Sequence, residues 1–276
     1  MIQLGRIAFE RPAVMGVLNV TPDSFSNGGR FVTLDAAVRE AEQMAAAGAA
    51  IVDVGGESTR PGAGAIDDQE ELDRVIPVIA ALASNLDTPI SIDTSKPRVM
   101  REAIAAGAVL INDVCALGAD GAMQAAVELQ QPVCLMHMQG EPRTMQEEPH
   151  YNNVVADVAE FLADRVGQCV ASGLSEDLIM VDPGFGFGKT ANHNIELLAN
   201  LRQLKQLGRP LLIGVSRKST LGVLTGRDID QRLPASLAAA VLAVDRGADI
   251  VRAHDVGATV DALKVARVIG EADRQQ

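Results

Sequence analysis

The stretch AAGAAIVDV, Ala46–Val54, decides the fold because the chain repeats it. AAGAVLIND (105–113) and RGADIVRAH (246–254) follow the same order: helix end, glycine, alanine, then an apolar run closing on a polar group. Gly48, Gly107 and Gly247 suit the position just past a helix C-terminus, where a left-handed backbone is needed. Five residues after each glycine stand Asp53, Asn112 and Arg252. The repeat therefore predicts three polar side chains at one level of a shared sheet. The apolar runs read as strands buried on both faces, as a parallel sheet requires.

Working outward, LIMVDPGFGFGK (Leu178–Lys189) is another buried strand, stopped by Asp182 and Pro183 and followed by glycines at every second position. Further strands are read at Val14–Val20, Pro89–Asp93, Pro132–Met136 and Leu211–Val215. Helical spacing marks Leu34–Ala47, Gln69–Ala83, Val154–Ser172, Ile195–Leu207 and Leu233–Val244. Weak alternation over residues 2–10 predicts a short hairpin or lid. About eight strand–helix units in strict alternation, with no linker, favour an α/β single-domain (β/α)8 TIM barrel over 1–276 rather than a doubly wound sheet. The length of 276 residues fits that fold.

A net charge of -12 argues against a nucleic-acid backbone or an anionic membrane as partner. Cys115, Cys134 and Cys169 lie far apart without a CxxC pair, so neither a disulfide framework nor a zinc site is expected. No basic-then-apolar leader and no membrane-length apolar run stands in the sequence, and the expected compartment is the cytoplasm. Helix 233–244 is apolar nearly all round, which predicts packing against a second subunit.

Barrel active sites lie at the C-terminal ends of the strands. Asn19, Asp53, Asp93, Asn112, His137, Asp182, Ser216, Arg252 and His254 fall there, more chemistry than capping requires. His137 reads either as a catalyst or as a hydrogen-bonded strand end. Met136 reads as core filler or pocket lining. Residues 55–62 form a surface turn or a mobile loop carrying Thr59 and Arg60 over the mouth. Ser216–Ser219 brings two cations where barrels build anion sites, the alternative being solvated surface. Gly184–Lys189 fits neither the nucleotide P-loop nor the dinucleotide fingerprint.

The chemistry of these tips narrows the ligand. Asp93, Asn112 and Asp182 would meet a planar heterocycle rich in N–H donors. Arg252, His254 and Asn19 suit a phosphate-type anion, with Asn19 an oxygen ligand for Mg²⁺ and Lys218 between the two groups. A heterocycle at one end and a leaving anion at the other suggest group transfer.

MGVLNVTPDSFS (Met15–Ser26), DVGGESTRPG (Asp53–Gly62), SIDTSKP (Ser91–Pro97), INDV (Ile111–Val114), LMHMQG (Leu135–Gly140), DPGFGFGK (Asp182–Lys189), SRKS (Ser216–Ser219) and RAHDV (Arg252–Val256) together resemble the dihydropteroate synthase family. The resemblance spans essentially the whole chain in the family's order. It implies a homodimeric (β/α)8 barrel in folate biosynthesis, the target of sulfonamides. The reaction implied joins 6-hydroxymethyl-7,8-dihydropterin diphosphate to p-aminobenzoate, releasing diphosphate with the help of Mg²⁺. By that resemblance Asp93, Asn112, Asp182 and Lys218 hold the pterin, with Met136 against its ring. Arg252 stacks on the pterin and, with His254 and Asn19, holds the diphosphate. Thr59, Pro61, Phe187 and Ser219 line the p-aminobenzoate site, and Phe25 and Arg60 arrive on mobile loops. The implied chemistry is dissociative, with Asp93 and Asp182 stabilising a pterin cation and no general base assigned. Asn27 departs from the Asp common in the family's first loop. Two rivals are a pterin-dependent methyltransferase, which has no use for the Ser58–Pro61 or Ser216–Ser219 segments, and a non-catalytic pterin-binding paralogue.

Overall fold

The end of each repeated helix shows how the chain turns back into the sheet. Gly48, Gly107 and Gly247 adopt φ of 96°, 117° and 102°. In all three the residue after the glycine donates to the carbonyl five positions back: Ala49 to Met44, Ala108 to Ala103 and Ala248 to Ala243. This Schellman pattern needs a left-handed residue, which glycine adopts without a Cβ clash. Gly173, at φ 103°, repeats it with Leu174 bonding Cys169. The sequence of that fourth copy, ASGLSEDLIM, hides the pattern behind an inserted turn, the 3-10 segment Glu176–Leu178.

The computed structural model describes residues 1–21, 30–58, 64–141 and 144–273. Two short strands, β1 (Ile2–Leu4) and β2 (Ile7–Phe9), pair antiparallel. Eight parallel strands follow: β3 (Ala13–Asn19), β4 (Ile51–Gly55), β5 (Ile90–Asp93), β6 (Leu110–Asp113), β7 (Val133–Met136), β8 (Ile179–Asp182), β9 (Leu212–Ile213) and β10 (Ile250–Ala253). Their order is β8-β7-β6-β5-β4-β3-β10-β9. A bridge between Val181 and Leu211, with the Val181 amide bonding the Pro210 carbonyl at 3.0 Å, brings the two edges together into a nearly closed barrel. The helices α1 (Arg30–Ala46), α2 (Asp68–Asn85), α3 (Pro97–Ala105), α4 (Ala122–Leu129), α5 (Val154–Ala171), α6 (Ala191–Ala199), α7 (Ser219–Thr225), α8 (Leu233–Asp245) and α9 (Val256–Asp273) alternate with the strands. The (β/α)8 expectation and the N-terminal hairpin both hold.

Two helices begin where sequence chemistry dictates. Asp67 accepts from the Glu70 amide at 2.8 Å to start α2, and Asn153 accepts from Val155 and Ala156 to start α5. Two expected spans change. The helix read over Ile195–Leu207 is α6, ending at Ala199, followed by a 3-10 segment over Leu201–Leu207. The tighter coil still buries Leu201 and Leu204, which is why periodicity alone did not separate it. Of the strand read over Leu211–Val215, Leu212 and Ile213 pair with β10, and Leu211 makes the isolated bridge to Val181.

Strand alternation divides the core in two. Outward residues such as Val52, Ile92, Ile111, Val133 and Val181 pack under the helices in one large cluster. Inward residues Met15, Ile51, Leu110, Cys134, Met180, Leu212 and Ile250 form a second cluster with Ile2, Leu4 and Phe9 of the hairpin. The hairpin therefore plugs the lower end of the barrel. Above this floor the inward positions turn polar.

Candidate active site

On that floor the three repeated positions meet. Asn112 Nδ2 donates to Asp53 Oδ2 at 3.0 Å, and Arg252 Nε donates to the same oxygen at 2.7 Å. Arg252 Nη2 reaches Asp93 Oδ2, also at 2.7 Å. Asp53 has no exposed surface and its Oδ1 has no protein partner. The guanidinium is thus clamped edge-on between β4 and β5. Burial works against its charge, but Asp53 and Asp93 hold its pKa above the ordinary arginine value. Asp53 was visible in the sequence as a repeat position, yet nothing there said it would grip two other site residues.

Around this clamp stand Asp182, Lys218, Met136 and Phe187. Asp182 accepts from the Gly184 amide at 2.7 Å. Burial pushes Asp182 up to about 6, against that bond and the nearby Lys218, Lys189 and Arg252. Burial likewise raises Asp93 to about 7, against the opposing Arg252 and with smaller contributions from Asp53, Glu71 and Asp113. Lys218 falls to about 8 through burial and Arg252, opposed by Asp182 and Asp93. Its ammonium sits 4.0 Å from the centroid of the Phe187 ring. Met136 is buried at the tip of β7, paired in register with Asp182.

In the glycine-rich loop the two phenylalanines differ in burial. Phe185 is 2% exposed and belongs to the core, so only Phe187 faces the mouth. Gly184 lies against β7: at φ 68°, a Cβ there would stand 1.8 Å from the His137 carbonyl oxygen. Lys189 turns inward, donating to the Gly184 and Phe187 carbonyls at 3.0 Å each and lying 2.9 Å from His137 Nδ1. Its cation ties the loop to itself. His137 is pushed down to about 3 by burial and by Lys189, so it is a neutral acceptor. Its contact with Lys189 matches the reading of a hydrogen-bonded strand end.

After β9, Ser216 Oγ contacts the His254 ring at 3.0 Å and its backbone amide at 3.2 Å. Burial and the cations Arg252 and Arg217 bring His254 down to about 4. Arg217 is held by both oxygens of Asp255 and so is not a second open cation beside Lys218. Ser219 opens α7 and is exposed. Asn19 ends β3, half-buried, across a gap kept by Gly55, whose Cβ would lie 3.6 Å from Asp93 Cβ and 3.9 Å from Asn19 Oδ1. Phe25, Asn27, Thr59, Arg60 and Pro61 lie outside the described residues.

A group the sequence reading passed over underlies this rim. Lys96, in the turn after β5, bonds Glu57 at 2.7 Å and the fully buried Glu71 at 2.6 Å. Arg74 Nη1 donates to the Gly56 carbonyl at 2.8 Å. The root of the β4 loop is therefore pinned to α2 and to the β5 turn. Lys96 stood in the sequence only as part of the SIDTSKP segment, with no sign of its partners, because Glu57 and Glu71 are remote in sequence.

The family model of the pterin binding enzymes matches residues 15–254. This chain belongs to that family. Within it, the dihydropteroate synthase of Haemophilus influenzae is 50% identical over 261 residues, 95% of each chain. The Yersinia pestis dihydropteroate synthase, solved with a sulfonamide drug complex, superposes with a TM-score of 0.92 at 47% identity, covering 97% of this chain and 98% of that one. The Xanthomonas albilineans dihydropteroate synthase with 4-aminobenzoic acid gives 0.90 at 51%, covering 95% and 94%. The same enzyme with 7,8-dihydropteroate gives 0.88 at 48%, covering 96% and 97%. A pterin binding enzyme of the dihydropteroate synthase type, this chain is a transferase.

Proposed function

We propose that the protein joins 6-hydroxymethyl-7,8-dihydropterin diphosphate to p-aminobenzoate, releasing diphosphate and forming 7,8-dihydropteroate. The Arg252 clamp carries this reading: one cation held in plane between Asp53 and Asp93, with Asn112, Asp182 and Lys218 around it. Acceptors from β5, β6 and β8 suit the donor-rich edge of a pterin. Lys218 and Arg252 face its ring and the side on which negative charge leaves. Solved relatives bound to 4-aminobenzoic acid and to 7,8-dihydropteroate support both ends of the reaction, and the sulfonamide-bound relative supports sulfonamides as ligands.

Asp93 and Asp182 would stabilise the positive charge that develops on the pterin methylene as diphosphate departs. Arg252 would meet the departing anion. His254, neutral at its lowered pKa, would meet it as an N–H donor. Phe187 and Ser219 would flank the arylamine, joined by Phe25, Thr59, Arg60 and Pro61. Among the described residues no group of three His, Cys, Asp or Glu could cage a metal. That suits Mg²⁺, which takes few protein ligands and arrives with phosphate. Asn19 Oδ1, beside the gap at Gly55, would hold it. Bound there, it would supply charge neutralisation on the diphosphate.

The whole chain, 1–276, is read as one barrel domain that works as a homodimer in the cytoplasm. Apolar residues exposed on α7, α8 and α9 support the dimer, and three free cysteines suit a reducing compartment. No described helix is long and apolar enough to cross a membrane.

The test is diphosphate release from the dihydropterin diphosphate with Mg²⁺, with and without p-aminobenzoate. Release should depend on the arylamine, yield dihydropteroate and fall at least about 100-fold in Lys218→Ala and Asp93→Asn. Tight pterin binding without turnover would favour the non-catalytic paralogue instead.

A further inference from the structure

We infer that Asp53 is a positioning residue that sets the hydrogen-bond polarity of the mouth, and with it the preference for a ligand edge made of N–H donors. The inference rests on the pterin reading of the site. An asparagine amide can offer either an oxygen or an NH₂, and a half-turn of χ2 exchanges them. At Asn112 that choice is made by its neighbour. Asp53 is fully buried, and its Oδ2 already takes Arg252 Nε at 2.7 Å. A carboxylate engaged by a guanidinium accepts only, so Asn112 must turn its Nδ2 toward it, as the 3.0 Å contact shows. Oδ1 is thereby fixed as the acceptor that Asn112 presents, beside the second N–H of the same amide.

The consequence reaches across the sheet. With that oxygen fixed in place, neighbouring β5, β6 and the tip of β8 each contribute an acceptor, from Asp93, Asn112 and Asp182. Flipping the amide would set Asn112 Oδ1 against Asp53 Oδ2, two acceptors with no proton between them, and turn the NH₂ toward the mouth, where the ligand brings donors of its own. The same Asp53 oxygen fixes Arg252 in plane, so one buried side chain sets both the edge and the face that the ligand meets. Discrimination of this kind is strong because the wrong ligand leaves buried polar groups unpaired.

The test compares 6-hydroxymethylpterin with its 2-oxo counterpart, in which a carbonyl oxygen replaces the 2-amino group, by calorimetry. Wild type should prefer the pterin. Asp53→Ala removes the acceptor and frees the Asn112 amide. Pterin affinity should then fall at least about 30-fold, the 2-oxo ligand should lose less than about threefold, and the preference should narrow at least about tenfold. Asp53→Asn, which still offers an oxygen to both donors, should recover most of the preference. Equal losses for both ligands, or no loss, overturn the inference. Should Asp53→Ala not fold, the wild type decides by side-chain amide NMR. The Asn112 NH₂ protons should exchange slowly with and without pterin. Protons that exchange fast, or that move onto the ligand, overturn it. A wild type that binds neither ligand overturns the pterin reading, while the free-protein NMR still judges Asp53.

Discussion

At the residue scale, the site is made of groups whose charges are held against burial. Asp182 and Asp93 are raised to about 6 and about 7 and Lys218 is lowered to about 8. On the proposed mechanism, turnover needs both carboxylates ionised and the lysine charged. The rate profile should therefore be a narrow bell, rising through about 6 to 7 and falling past about 8, with apparent values that belong to the coupled set. Stability has the opposite sense for the acids. Their folded values exceed the unfolded value of about 3.9, so their contribution is fully present below that pH and is lost as pH rises through about 6 and 7. Asp182→Asn should thus stabilise the free protein at pH 8, on the order of 1 kcal/mol or about 2–4 °C, while removing activity. Calorimetry across pH checks this: wild type and variant should converge below about pH 4, and a variant that melts earlier at pH 8 refutes it.

Among the elements, the loop roots matter more than the loops. Lys96 stands between Glu57 and Glu71, and one oxygen of Glu71, Oε1, is buried with no partner. Burial already raises the Glu71 pKa, and the bond from Lys96 is what most opposes it. Removing that cation leaves a buried carboxylate uncompensated. Lys96→Met should cost about 3–5 kcal/mol, measured by urea unfolding, and adding Glu71→Gln should return more than half of it. Additive losses would show that the pair does not interact. The strands and most helices were legible because their periods and caps are local. The break of α6 before Leu201, the brevity of β9 and the inward turn of Lys189 were not: no residue type in the sequence marks the first two, and Lys189 answers to His137, remote in the chain.

Over the whole molecule, two surfaces are apolar for different reasons. The barrel floor is closed by Ile2, Leu4 and Phe9. The outer face of α7, α8 and α9 is not closed: Val223, Leu242, Val265, Val268 and Ile269 are all exposed. Exposed apolar residues clustered on adjacent helices mark an interaction surface. Sedimentation should show a dimer at micromolar concentration, and Leu242→Glu with Val268→Glu should give a folded monomer. A wild-type monomer under those conditions removes the homodimer from the proposal.

The sequence by itself determined the barrel, through three glycine-ended repeats and an unbroken alternation of strands and helices. It also determined which polar residues stand at the strand tips, because a side chain's face follows from strand parity alone. Tertiary structure decided what those residues do to one another. That Asp53, Asn112 and Arg252 share one oxygen depends on barrel closure. That His137 serves Lys189 and that Arg217 is spent on Asp255 depend on the stagger of the paired strands, β7 with β8 and β9 with β10. Closure brings β10 beside β3 and sets the stagger between strands, and no local pattern in the chain records that stagger.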